Sequence, residues 1–81
     1  MYFVYLLQCK DGSIYTGITN DLQRRLRQHK EGTASSYTRA KRAVKMVYSE
    51  KAGSRSRALV REAEIKKWKR QQKLDLVRSG I

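Results

Sequence analysis

The stretch Ile14–His29, IYTGITNDLQRRLRQH, decides how the rest of the chain is read. Ile14 to Thr19 is β-branched and aromatic around one glycine, the pattern of a strand. Asn20 or Asp21 can then cap a helix, with Gln23 at capping-box spacing from Asn20. That helix is expected to run from Asp21 to about Lys30 and to stop at Gly32, a residue suited to the position just past a helix C-terminus. On it, Leu22, Leu26 and His29 fall at i, i+4 and i+7, with Arg25 at i+3. An arginine and the only histidine of the chain therefore share the apolar side, while Arg24, Arg27 and Gln28 point elsewhere. Arg25 and His29, four residues apart, can reach one common point at the edge of the core. The plain structural alternative is an arginine that lays its stem along the core and a histidine that satisfies a local hydrogen bond.

Working outward toward the N-terminus, Tyr2 to Gln8 is rich in aromatic, β-branched and leucine residues and reads as a largely buried strand. Asp11-Gly12 between two apolar runs signals a hairpin. Tyr5 and Tyr15 share a face only if odd-numbered residues pair with odd. A three-residue loop, Asp11 to Ser13, or an equivalent bulge is expected to provide that register. Toward the C-terminus, TASSYTRAKRA shows no clear period and reads as a loop. VKMVYSE reads as a third strand with Val44, Met46 and Tyr48 on one face. Ser54 or Ser56 can cap a further helix whose apolar side is Ala58, Leu59, Ala63 and Ile65, with KKWKR as its basic end. QQKLDLVRSG reads as a last short helix, with Leu74, Leu76 and Val77 over the core. The expected fold is α+β: a small three-stranded antiparallel-dominated sheet flanked by helices, order β-β-α-β-α-α.

Composition narrows the function. With 81 residues the chain is expected to be one domain, 1–81, and its net charge of +12 favours a polyanionic partner, nucleic acid first. A lone Cys9 excludes an internal disulfide, fits a reducing compartment and reads as a small core residue. One histidine and one cysteine exclude a zinc finger. The apolar start MYFVYLLQC is too short for a membrane span, and the protein is expected to be cytoplasmic, with no membrane partner. On the second long helix Glu62 borders the apolar side. A carboxylate there reads either as half of a buried ion pair with Arg25 or as a ligand for a hard divalent cation completed by water and phosphate. Tyr2 and Tyr48 read as packing residues. Trp68, three residues after Ile65, reads as core rather than as a base-stacking platform.

Taken together, these residues resemble the GIY-YIG nuclease domain family. Its Gly-Ile-Tyr motif appears as Val4-Tyr5-Leu6, and its Tyr-Ile-Gly motif as Tyr15-Thr16-Gly17. On that match the family's helix arginine falls on Arg25, the histidine that follows on His29 and the metal-binding glutamate on Glu62. Tyr37 matches a loop position that carries histidine or tyrosine. The resemblance spans nearly the whole chain and is similar to the small stand-alone bacterial branch. The first motif keeps only its tyrosine, and no counterpart of the asparagine found near the C-terminus of many members is present.

The resemblance implies a divalent-metal-dependent nuclease that hydrolyses DNA phosphodiester bonds. It would be directed by structure rather than sequence, in DNA repair or processing. The alternative is a non-catalytic or partner-dependent nucleic-acid-binding module of the same fold. Tyr5, Tyr15, Arg25, His29 and Glu62 are the implied catalytic residues, with Tyr37 accessory. Glu62 would hold Mg²⁺ or Mn²⁺, Arg25 the non-bridging oxygens, and Tyr5 would accept the proton of the attacking water, with Tyr15 and His29 positioning water or phosphate. Gly17 is expected to let backbone and phosphate approach closely. Arg24, Lys30, Arg39, Lys41, Arg42, Lys66, Lys67, Lys69 and Arg70 are candidates to track the nucleic-acid backbone of DNA, or of RNA as the other polyanion. A protein partner would supply specificity that so small a chain lacks.

Overall fold

The computed structural model describes residues 1–34 and 36–79, with the side chains of 36–38 and 44 excepted. Its elements are β1 (Phe3–Cys9), β2 (Ile14–Thr19), α1 (Leu22–Glu31), α2 (Ser36–Lys41), β3 (Ala43–Lys51), α3 (Arg55–Lys66) and α4 (Arg70–Ser79). β1 is central in an antiparallel sheet of order β2-β1-β3, paired along both edges; its residues are buried on both faces, and its sequence is apolar almost without interruption. Val4, Tyr5, Leu6, Leu7 and Cys9 are all buried.

Alternation along β1 sorts these residues into two layers. Val4 and Leu6 face α3 and α4 in a cluster with Ala58 and Ile65, closed by Ile14, Ile18, Trp68, Leu76 and Val77. Tyr5 faces the other way, toward α1. Tyr2 and Tyr48 pack at the rim of the apolar cluster, as does Trp68, whose ring lies under the Arg61 guanidinium at 5.2 Å.

The hairpin register pairs Tyr5 with Gly17 and Leu7 with Tyr15, so odd residues oppose odd and the two tyrosines share a face. The loop itself is Lys10–Gly12 rather than Asp11 to Ser13. Cys9 N–H donates to Ser13 O at 2.9 Å, and Gly12 takes φ +87°, the left-handed bulge position that favours glycine. Asp11 fixes the turn by accepting from the Ser13 amide at 3.0 Å and the Ser13 hydroxyl at 2.6 Å.

Three other expectations are corrected. The stretch read as a loop contains α2, a helix too short to display a period and free of glycine and proline. The element order is thus the expected one with α2 inserted before β3. Met46 and Tyr48 do not share a face: Met46 opposes Leu7 and Tyr48 opposes Leu6, because β3 bulges between them. On α3 the inward side is Ala58, Arg61, Glu62 and Ile65, whereas Leu59, Val60 and Ala63 are exposed. The apolar residues of α3 are scattered around the helix, so their identity alone does not define its buried side. Among the described residues no helix is long and apolar enough to cross a membrane.

Candidate functional site

The site forms where α1 covers the middle of β1 and β2. Asp21, not Asn20, caps α1 by accepting from Arg24 N–H, and Gly32 at φ +80° closes it. Helical spacing then turns Leu22, Arg25, Leu26 and His29 toward the sheet; His29 is 1% exposed. Its Nε2 lies 2.7 Å from Tyr5 Oη. The ring centroids of Tyr5, Tyr15 and His29 are mutually 5.1–6.4 Å apart, so the three rings form one tilted cluster.

Burial sets the protonation of the pair. It pushes the Tyr5 phenol up to about 12, against a smaller opposing effect from hydrogen bonding to Arg25; the charge of Glu62 also raises it. Burial first, and then the Arg25 charge, push the His29 imidazole down to about 4. At neutral pH both groups are uncharged. Arg25 can only donate, and its proximity favours the charged form of the phenol; the 2.7 Å bond between Tyr5 Oη and His29 Nε2 runs in the direction that the imidazole tautomer sets.

Arg25 is held by Gln28, whose Oε1 accepts from Nη1 at 3.3 Å. Gln28 is half-buried, not turned to water as its helical position suggested; it is a partner of Arg25 that sequence reasoning missed, although its i+3 relation to Arg25 was the available signal. Arg25 Nε is buried and has no hydrogen-bond partner among the described residues. A buried guanidinium donor without an acceptor is costly, and an anion is what would satisfy it.

Gly17 meets a different neighbour from the one expected. A Cβ at this position would stand 2.5 Å from Tyr5 Oη and 2.6 Å from Tyr5 Cζ, so the missing side chain makes room for the Tyr5 ring. Glu62 comes from α3, which packs chiefly on β2; its charge is felt at Tyr5 while its ion pair is with Lys66 at 3.5 Å. Among the described residues no three histidine, cysteine, aspartate or glutamate side chains gather into a metal cluster. A half-buried single carboxylate whose charge reaches Tyr5 suits a hard cation that keeps its waters and takes a phosphate oxygen. The Tyr37 side chain lies outside the described residues.

The candidate backbone-tracking cations divide into two groups. Lys41 is paired with Asp11 at 3.0 Å, Lys66 with Glu62, Arg70 donates to Gly12 O at 2.9 Å and Arg24 to Asn20 Oδ1 at 2.9 Å. Lys30, Arg39, Arg42, Lys67 and Lys69 are exposed and form no ion pair among the described residues.

Comparison with known proteins bears on the family and the fold. A family model described as the GIY-YIG catalytic domain matches residues 1–75. A UPF0213 protein of Staphylococcus saprophyticus is 43% identical over 79 residues, 98% of this chain and 96% of its own length. One from Staphylococcus epidermidis is 44% identical over the same extent. The solution NMR structure of a UPF0213 protein from Bacillus halodurans is similar at TM-score 0.60 and 39% identity, covering 96% of this chain and 84% of that one.

Proposed function

The chain belongs to the GIY-YIG catalytic domain family, and from that premise we propose that it is a divalent-metal-dependent nuclease hydrolysing DNA phosphodiester bonds in the cytoplasm. The reading extends to structure-directed rather than sequence-directed cleavage, in DNA repair or processing. One observation carries it: the buried Arg25 Nε, without a hydrogen-bond partner among the described residues, beside the Tyr5–His29 pair, a cationic donor set in a pre-formed polar site.

In the proposed reaction Arg25 takes the non-bridging oxygens of the scissile phosphate, turning from the Tyr5 phenol as it does so. The phenol oxygen, relieved of Arg25, accepts the proton of the attacking water while its own proton passes to His29 Nε2. An anion on Arg25 also offsets the charge that depresses His29, so the imidazole becomes a better proton acceptor when substrate is bound. Tyr15 supports the ring cluster and lines the approach to the phosphate. Gly17 keeps the Tyr5 ring in place. Glu62 would hold Mg²⁺ or Mn²⁺, giving up its contact with Lys66. The ion would supply Lewis acidity toward the phosphate and the leaving oxygen.

A second reading, a binding module of the same fold that lacks activity alone or needs a partner, is favoured by the full burial of Tyr5 and its phenol at about 12. One experiment separates the two. Purified protein and a Glu62→Ala variant are incubated with branched, single-stranded and duplex DNA and an RNA control, with and without Mg²⁺ or Mn²⁺. Metal-dependent cleavage that the variant loses supports the nuclease. DNA binding without cleavage by either protein supports the binding module, and cleavage confined to an RNA control would move the substrate to RNA.

A further inference from the structure

Between the C-terminal end of α1, α2 and the start of β3 lies a cleft of about 330 Å³ lined by His29, Lys30, Glu31, Arg39 and Arg42. Three cationic side chains face one carboxylate there, and none of the three cations forms an ion pair among the described residues. Two cations elsewhere on the surface, Lys41 and Arg70, are by contrast already engaged with Asp11 and Gly12.

Two features build the cleft. The Arg39 stem lies against Gly32, where a Cβ would come to 3.4 Å from Arg39 Cγ; the residue that closes α1 thus also seats this arginine. Arg42 adopts φ +59°, a left-handed conformation that is unfavourable for a residue with a side chain. It is locked there by the hairpin, because Lys10 N–H donates to Arg42 O at 2.8 Å and to Lys41 O at 3.2 Å. Glycine would take this turn without strain, and a strained arginine persists where its side chain has a use. His29 joins the cleft to the site, since the residue whose Nε2 holds Tyr5 is also part of the cleft wall.

We propose that this cleft is a second phosphate subsite, taking a backbone phosphate of the DNA strand that flanks the phosphate at Arg25. The proposal rests on the nuclease reading for the placement of the strand, but binding tests it separately. The subsite assigns a path to the strand on the protein, between Arg25 and the pair Arg39 and Arg42 by way of His29. It also separates these cations from the charge that merely raises the field of the whole surface.

The test is the affinity of a fluorescein-labelled DNA duplex, followed by anisotropy without metal over a salt series. The proteins are wild type, Arg39→Ala/Arg42→Gly, and Arg55→Ala/Arg57→Ala as a control of equal charge beyond the opposite end of β3. Alanine suits the helix and glycine suits φ +59°, so the first variant is expected to keep or raise the unfolding midpoint. It is expected to bind several-fold more weakly and to lower the slope of log K against log salt by about one unit, the signature of one lost phosphate. The control is expected to leave the slope unchanged. Equal losses in the two variants, or an unchanged slope in the first, would overturn the subsite and leave only general attraction. The expected loss of binding in Arg39→Ala/Arg42→Gly, beside a wild type that cleaves no DNA with Mg²⁺ or Mn²⁺, would keep the subsite and remove the nuclease.

Discussion

The two faces of β1 bury opposite chemistry from adjacent residues. Val4 and Leu6 enter an interior that Ala58 and Ile65 complete; Tyr5, between them, enters one shared with Tyr15, Arg25 and His29. Each interior also buries a polar atom with no partner among the described residues, Thr16 Oγ1 on the first face and Arg25 Nε on the second. The same defect differs in meaning. A neutral hydroxyl among apolar side chains is a small tolerated cost, whereas a cationic donor beside a phenol and an imidazole is a site for an anion. On the proposed reading, one face holds the fold together and the other gives up some stability to stay poised for binding.

The largest effect that would break this contrast is expected at Arg25. Arg25→Ala should lower DNA cleavage by about 10²–10³-fold, the range for removing a donor aimed at developing negative charge. The unfolding midpoint should change little, because the residue removed was incompletely satisfied in the folded state. A marked loss of stability with normal cleavage would make Arg25 a structural residue and merge the two faces into one. Leu6→Ala is the mirror experiment: about 3 kcal/mol of stability is expected to be lost from a fully buried position, measured by denaturant unfolding. Cleavage per folded molecule should be retained.

Much of this contrast was legible in the sequence, and the reasons it was legible differ. The strand Ile14–Thr19 and the stop at Gly32 follow from local chemistry, and the parity that brings Tyr5 and Tyr15 together follows from the turn. Arg25 and His29 were visible because helical periodicity places them among leucines. Other features depend on distant partners. The bulge that separates Met46 from Tyr48 is set by pairing with β1, and the burial of α3 by which side meets the sheet. Gly17 was read as open to phosphate, because nothing in one strand says that the Tyr5 ring of its neighbour fills the space. Gln28 and α2 were missed for a related reason: short or half-buried elements carry too little periodicity to declare themselves.

A third prediction uses pH to separate the faces. The His29 imidazole is protonated near pH 6.5 in the unfolded chain but only near pH 4 in the folded one. Between those values the unfolded state binds more protons, so stability falls as the pH drops from about 6.5 to about 4. The loss should be on the order of 2–3 kcal/mol, read as the difference between wild type and His29→Gln across urea titrations at several pH values. The apolar face contributes no such step, so Leu6→Ala should keep the wild-type pH dependence while His29→Gln flattens it. Identical curves for wild type and His29→Gln would mean that the imidazole is not held neutral by its burial.

The smallest expected effect tests the meaning of an unpartnered atom directly. Thr16 opposes Leu6 and is 2% exposed, with its hydroxyl buried on the side where α3 packs. Valine replaces that hydroxyl with a methyl group of nearly the same shape, so Thr16→Val removes an unsatisfied polar atom and leaves the packing in place. Stability should rise by about 1 kcal/mol, or several degrees in Tm for a chain of this length, with cleavage unchanged. If Thr16→Val instead loses stability, the hydroxyl is satisfied in solution, and a buried polar atom without a protein partner in this fold no longer marks an unmet bond. A gain at Thr16 together with lost cleavage at Arg25 would show that the two faces treat an orphaned polar atom in opposite ways.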